Sequence, residues 1–249
     1  MNYAITLDNF SKDYGDVRAV DNLTLHVPEG EIFGMLGPNG CGKTTTINCL
    51  SGLVNPSSGE LKVGGHDVRK EVGNVRAILG ICPQETALYP FLSGRENVEL
   101  FGNLYSVPRQ VLKRNVEYAI EKVGLGDDAS RRSGKYSGGM KRRLCVAMAL
   151  VQDPKVVFLD EPTVGMDPQS RRSIWGFILE LKDKGKTILL TTHHMEEAEQ
   201  LCDEVAIIDH GKLIELGPPE DLKSKYRTKD LEEVFLQLTG RTIRGESQV

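Results

Sequence analysis

Residues 37–44, Gly-Pro-Asn-Gly-Cys-Gly-Lys-Thr, constrain this chain more than any other segment. They follow an apolar run at 31–36 that reads as a strand, and they lead into residues 44–53, which read as a helix. The spacing G-x-x-x-x-G-K-[ST], set between strand and helix, is that of a phosphate-binding loop. Its glycines let consecutive backbone N–H groups turn inward on one anion, and the helix N-terminus adds partial positive charge. Gly37, Asn39, Gly40, Cys41, Gly42, Lys43, Thr44 and Thr45 are therefore candidate nucleotide-binding residues. Lys43 is expected to reach the β- and γ-phosphates, and the Thr44 hydroxyl to ligate Mg²⁺. Cys41 serves as a small side chain that leaves the loop backbone free; a thiol activated by the helix N-terminus is the minority alternative.

A second segment complements the first. In residues 156–162, Val-Val-Phe-Leu-Asp-Glu-Pro, two acids stand where an apolar strand leaves its sheet. Ligands of open α/β sheets bind at the carboxyl ends of strands. Asp160 is expected to hold Mg²⁺ and Glu161 to polarise an attacking water. Short apolar runs at 187–190 and 205–208 add buried strands, and alternation at 4–7 and 23–27 suggests antiparallel ones. Strand signals vanish from about 84 to 153, where residues 97–105, 109–123 and 139–152 read as helix. A later helix is capped by Asp167, begins at Pro168 and ends at Gly185. The fold class is α/β, with a largely parallel sheet, an N-terminal antiparallel β subdomain and an inserted helical subdomain. The expected division is a core of 1–84 and 154–215, a helical subdomain of 85–153, a C-terminal helical segment of 216–240 and a tail of 241–249.

Composition removes other classes. The 249 residues carry a net charge of -4, which disfavours a nucleic-acid backbone as main partner. No apolar run approaches the length of about 20 residues needed to span a bilayer, and the N-terminus shows no secretory signal. The five cysteines form no C-x-x-C pair, so neither a disulfide framework nor a zinc site is expected. His193 and His194 are adjacent and make a poor metal pair.

Residues 136–140, Tyr-Ser-Gly-Gly-Met, open a predicted helix upstream of the strand carboxylates. This segment resembles the signature motif of ATP-binding cassette (ABC) ATPases, and the resemblance runs from Tyr14 to Gly240. It implies a P-loop NTPase with a RecA-like core that hydrolyses ATP with Mg²⁺. Tyr14 resembles the aromatic that stacks on adenine. Gln84 resembles the glutamine that senses Mg²⁺ and the attacking water. Gly165, Met166 and Asp167 resemble the loop that crosses to a partner subunit, and His193 the switch histidine at the γ-phosphate. Ser137, Gly138 and Gly139 would then clamp ATP held by a second, head-to-tail copy, giving a homodimer with two competent sites.

The motif departs from the commonest form, Leu-Ser-Gly-Gly-Gln, at Tyr136 and Met140. The continuation at 141–144 and the segment 230–240 resemble the branch serving ABC-2-type exporters of drugs or sodium. Lys141, Arg142 and Arg143 read as a solvated helix face, with Leu144, Ala147, Met148 and Val151 turned to the core. The resemblance implies a peripheral ATPase on the cytoplasmic face of multi-spanning membrane subunits. Residues 85–105, with Leu88, Tyr89, Phe91, Leu92 and Phe101, are the expected wall of the groove receiving them. The alternative is a soluble ABC ATPase acting on ribosomes or DNA.

Overall fold

A computed structural model describes residues 2–240; the expected tail at 241–249 lies outside the described residues. Chain order begins β1 (Tyr3–Tyr14), β2 (Val17–Pro28), β3 (Ile32–Leu36) and α1 (Lys43–Leu50). It continues with β4 (Ser58–Val63), β5 (His66–Asp67), α2 (Val72–Ile78) and β6 (Leu79–Cys82). Helices α3 (Gly94–Leu104), α4 (Arg109–Lys122) and α5 (Gly138–Leu150) come next, then β7 (Val156–Asp160) and α6 (Pro168–Asp183). The described residues close with β8 (Thr187–Thr192), α7 (Met195–Leu201), β9 (Glu204–Asp209), β10 (Lys212–Gly217), α8 (Pro219–Tyr226) and α9 (Leu231–Thr239).

Two sheets result. One is four-stranded and antiparallel, in the order β2-β1-β4-β5. The other is six-stranded, in the order β10-β9-β3-β8-β7-β6, parallel except for β10 at its edge. β3 and β7 are buried on both faces, which explains their unbroken apolar runs. Alternate residues serve opposite layers: Ile32, Leu36, Val157 and Leu159 pack with the helices α4 to α7. Phe33, Met35, Val156 and Phe158 pack instead with α1 and the antiparallel sheet. Each fully buried aromatic of this kind contributes about 1.5–3 kcal/mol over its exposed state.

Caps set the helix starts. Ser93 and Glu96 form a reciprocal capping box that starts α3 three residues earlier than the apolar spacing predicts. Asp167 accepts from the Ser170 N–H ahead of Pro168, as the sequence predicts for α6. β6, β4, β5, β10, α2 and α7 are not legible from periodicity, whereas α8 and α9 fall in the expected C-terminal helical segment. α5 departs from expectation in polarity: all of residues 144–150 are buried, and so is Arg142. The basic cluster is therefore not a solvated face. Arg142 enters the core side of the helix, and Arg143 donates to the carbonyls of Val123 and Gly124.

Candidate functional site

Parallel register builds the site. β3 pairs with β8 up to Leu36 opposite Thr192, β7 with β8 up to Asp160 opposite Thr191, and β6 with β7 up to Cys82 opposite Leu159. The segments leaving these strands, 37–43, 161–163, 193–194 and 83–84, therefore emerge side by side. Gly42 is the N-cap of α1 in a left-handed conformation (φ 107°), and a Cβ there would lie 2.6 Å from the Ala19 carbonyl oxygen. Gly42→Ala is expected to cost about 2–3 kcal/mol, lowering the melting temperature by roughly 5–10 °C in thermal unfolding.

A cavity of about 250 Å³ is lined by Asn39, Gly40, Gly42, Lys43, Thr44, Thr45, Gln84 and Glu161. Lys43 is buried, and its ammonium donates to the carbonyls of Gly37 (2.7 Å) and Pro38 (3.2 Å). That ammonium also lies 3.8 Å from Glu161 Oε1. Thr44 Oγ1 donates to Asp160 Oδ2 at 2.9 Å, and Thr191 Oγ1 donates to Asp160 Oδ1. The chemistry of this donor set fits Mg²⁺, a hard cation that keeps most of its shell as water and phosphate and takes one or two protein oxygens.

Glu161 is 2% exposed and adopts φ 55°, unusual for a residue with a Cβ. Its N–H is held by the Thr191 carbonyl at 3.0 Å. This turn aims the carboxylate at the loop, and stored backbone strain of this kind gathers at functional sites. His193 Nδ1 lies 2.9 Å from both Glu161 oxygens. Carboxylate oxygens accept, so Nδ1 donates and Nε2 is the ring atom left to face a ligand. His194 is half-buried, and burial pushes its ring below the ordinary histidine range. Cys41 is buried beneath the loop, and burial raises its thiol above the usual range, opposite to activation.

Other predicted residues stand apart from the cavity. Tyr14 is exposed, with Lys12 Nζ 4.7 Å from its ring centroid, and is not among the lining residues. Ser137 caps α5 by accepting from the Met140 N–H, while Gly138 and Gly139 start that helix. All three lie outside the cavity lining. Tyr136 turns inward, its hydroxyl donating to the Asp128 carbonyl at 2.7 Å. Met140 Sδ accepts from Arg131. Gly139 faces Gly165 and Met166 at 3.7 Å from its ideal Cβ position. Of the expected wall, Phe91 (82%) and Tyr89 (51%) are exposed, whereas Leu88 and Phe101 pack against the core. Buried Asn97 holds that turn, accepting from the Tyr89 N–H and donating to the Ser93 carbonyl.

Among the buried polar residues that the sequence reading does not mark as such, Arg142 and Glu197 carry charge-bearing side chains. Arg142 donates to the carbonyls of Pro83, Gln84 and Asp160. The helical period carries a signal for it, because Cys145, Val146 and Ala149 share its face. Glu197 accepts from Thr163 Oγ1 (2.7 Å) and Trp175 Nε1 (2.9 Å), and burial raises its carboxyl above the usual range. Its partners are distant in sequence, so no local pattern marks it.

Comparison with known proteins places this chain in a family. The family described as ABC transporter matches residues 20–164. Daunorubicin resistance ATP-binding protein DrrA3 of Streptomyces coeruleorubidus is 43% identical over 222 residues, covering 89% of this chain and 70% of that protein. Linearmycin resistance ATP-binding protein LnrL of Bacillus subtilis (strain 168) is 43% identical over 218 residues, covering 88% and 70%. ABC transporter A family member 5 of Arabidopsis thaliana is 47% identical, but the match spans only 25% of its length. A solved ATP-binding subunit of an ABC transporter superposes with a TM-score of 0.87 at 27% identity, covering 95% of this chain and 99% of that one. The cbiO1 structure from Clostridium perfringens, part of the ABC transporter complex cbiONQ, superposes at 0.81 and 27% identity, covering 97% of each chain. The chain belongs to the ABC transporter family, as an ATP-binding subunit with ATPase activity. Its similarity to DrrA3 and LnrL is that of the ABC-2-type exporter branch.

Proposed function

We propose that this chain powers an exporter, hydrolysing ATP on the cytoplasmic face of multi-spanning membrane subunits that carry the transport path. The observation that carries the reading is the convergence of Lys43, Thr44, Gln84 and Glu161 from three chain segments on one loop-lined cavity, with Asp160 bonded to Thr44 at its edge. Resistance-protein relatives support export. Among the described residues no helix is long and apolar enough to cross a membrane, which agrees with a membrane path in other chains. The chain is read as one cassette over 1–240, with a core of 1–84 and 154–215, a helical subdomain of 85–153 and a C-terminal helical segment of 216–240.

Each residue has a task in this reading. The amides from Asn39 to Thr45 and the Lys43 ammonium bind the triphosphate and neutralise charge that develops on it. Thr44 and Asp160, with Gln84 beside them, hold Mg²⁺, which when bound withdraws charge from the phosphate oxygens. Glu161 orients a water and accepts its proton as the oxygen bonds to the γ-phosphorus and the bond to ADP breaks. His193 fixes the Glu161 carboxylate through Nδ1 and presents Nε2 to the γ-phosphate. Tyr14 stacks on adenine. Ser137 and Gly138, exposed at a helix start, with half-buried Gly139 cover the nucleotide of a head-to-tail second copy, and Gly165, Met166 and Asp167 line that same contact.

Tyr89 and Phe91 are the surface offered to the membrane subunit: large, exposed and held by Asn97. Tyr89→Asp with Phe91→Asp is expected to abolish co-purification with the membrane subunit from detergent extracts. The ATPase rate of the isolated chain should stay within about twofold, since neither side chain lines the cavity. Retained co-purification would remove this segment from the interface.

A further inference from the structure

Arg142 is the buried cation of α5, the helix capped by Ser137, and the roles above leave it without a task. Its residue is 4% exposed. Its partners are backbone carbonyls: Nη1 donates to Pro83 and to Gln84 (3.0 Å), and Nη2 to Asp160. Those carbonyls lie just past the last pairing of β6 with β7, Cys82 opposite Leu159, where the two strands separate. One planar guanidinium thus bridges the gap between the segment bearing Gln84 and the strand end bearing Asp160. We propose that Arg142 is a positioning residue for hydrolysis, setting Gln84 and Asp160 through their backbones and tying both to α5.

The chemistry favours this task over simple packing. A buried guanidinium is costly to desolvate, and an apolar residue on the face shared with Cys145, Val146 and Ala149 would fill the space without that cost. The rigid fork reaches carbonyls on two segments at once, which a lysine ammonium on a flexible stem does not reproduce. Because Ser137 caps α5, movement of that helix start is transmitted to Gln84 by two bonded groups, the guanidinium and the Gln84 carbonyl. Nucleotide binding, which rests on the loop at 37–45, does not pass through Arg142.

The proposal rests on the role of Gln84 given above, and a double-mutant cycle separates the two. Steady-state ATPase kinetics, binding of a fluorescent ATP analogue and thermal unfolding are measured for wild type, Arg142→Lys, Gln84→Ala and the double variant. Arg142→Lys should lower kcat by about tenfold or more with the ATP KM within about threefold, because the interaction acts on the reacting geometry. The double variant should lose clearly less than the product of the two single losses, since part of the Arg142 effect passes through Gln84 and the rest through Asp160. Multiplying losses, an unchanged kcat, or a loss confined to KM would overturn the proposal. Gln84→Ala with a wild-type rate would instead sink the role of Gln84 itself. Arg142→Gln, neutral but still able to donate, is the second variant; loss of analogue binding by both Arg142 variants would make Arg142 a fold residue and overturn its positioning role.

Discussion

Glu161→Gln is expected to bind ATP at least as tightly as the wild type and to turn over about a thousandfold more slowly. The amide keeps the volume and the hydrogen-bonding reach of the side chain, so the strained turn at φ 55° and its anchor on the Thr191 carbonyl persist. What it loses is the ability to take a proton from water, a contribution of about 10²–10⁴ in rate for a positioned base. It also loses a buried negative charge 3.8 Å from the Lys43 ammonium, beside the cavity where phosphates bind. Removing that like charge favours the triphosphate. With binding intact and hydrolysis blocked, the proposed ATP-closed dimer should lose its hydrolytic route to reopening and accumulate. Phosphate release and light scattering after size exclusion in ATP check both halves. Turnover near the wild-type rate would remove Glu161 as the base, and a slow variant that stays monomeric in ATP would remove the closed dimer.

The parts of this site that sequence reveals are those whose chemistry is local. The loop at 37–44 is read from spacing because one strand and one helix position it. Asp160 and Glu161 are visible because β7 is buried on both faces, and its apolar run ends abruptly in two acids. β6 escaped because four residues including Gly80 carry little periodic signal; Gly80 is needed where a Cβ would meet the Ala149 carbonyl at 2.1 Å. Arg142 was misassigned because charge in a run of three basic residues suggests solvent, whereas α5 is enclosed almost all round. Helical period distinguishes the three residues where composition does not. Glu197 depends on Thr163 and Trp175, partners brought in by the tertiary fold. The same holds for the His193 to Glu161 contact, which joins the ends of β7 and β8 through strand register and is invisible to spacing.

Lys43→Ala is expected to fail at an earlier step than Glu161→Gln. The Lys43 ammonium is nearly enclosed and is held by two loop carbonyls, so it is ordered before any ligand arrives. Ordering in advance means that little side-chain entropy is lost on binding, and the full charge interaction with phosphate appears as affinity. Truncating one partner of a buried charge pair costs about 3–5 kcal/mol, or roughly 10²–10⁴ in binding. Hydrolysis falls with it, because the same cation neutralises charge at the reacting phosphate. The two variants are then separated by heat rather than by rate, since both are nearly inactive. A ligand present at about a hundred times its Kd stabilises the folded state by about 2.7 kcal/mol. ATP at that concentration should raise the melting temperature of Glu161→Gln by roughly 5–10 °C and leave that of Lys43→Ala unmoved. Equal shifts in the two would mean that Lys43 contributes nothing to phosphate binding, and the loop would have to hold ATP through its backbone amides alone.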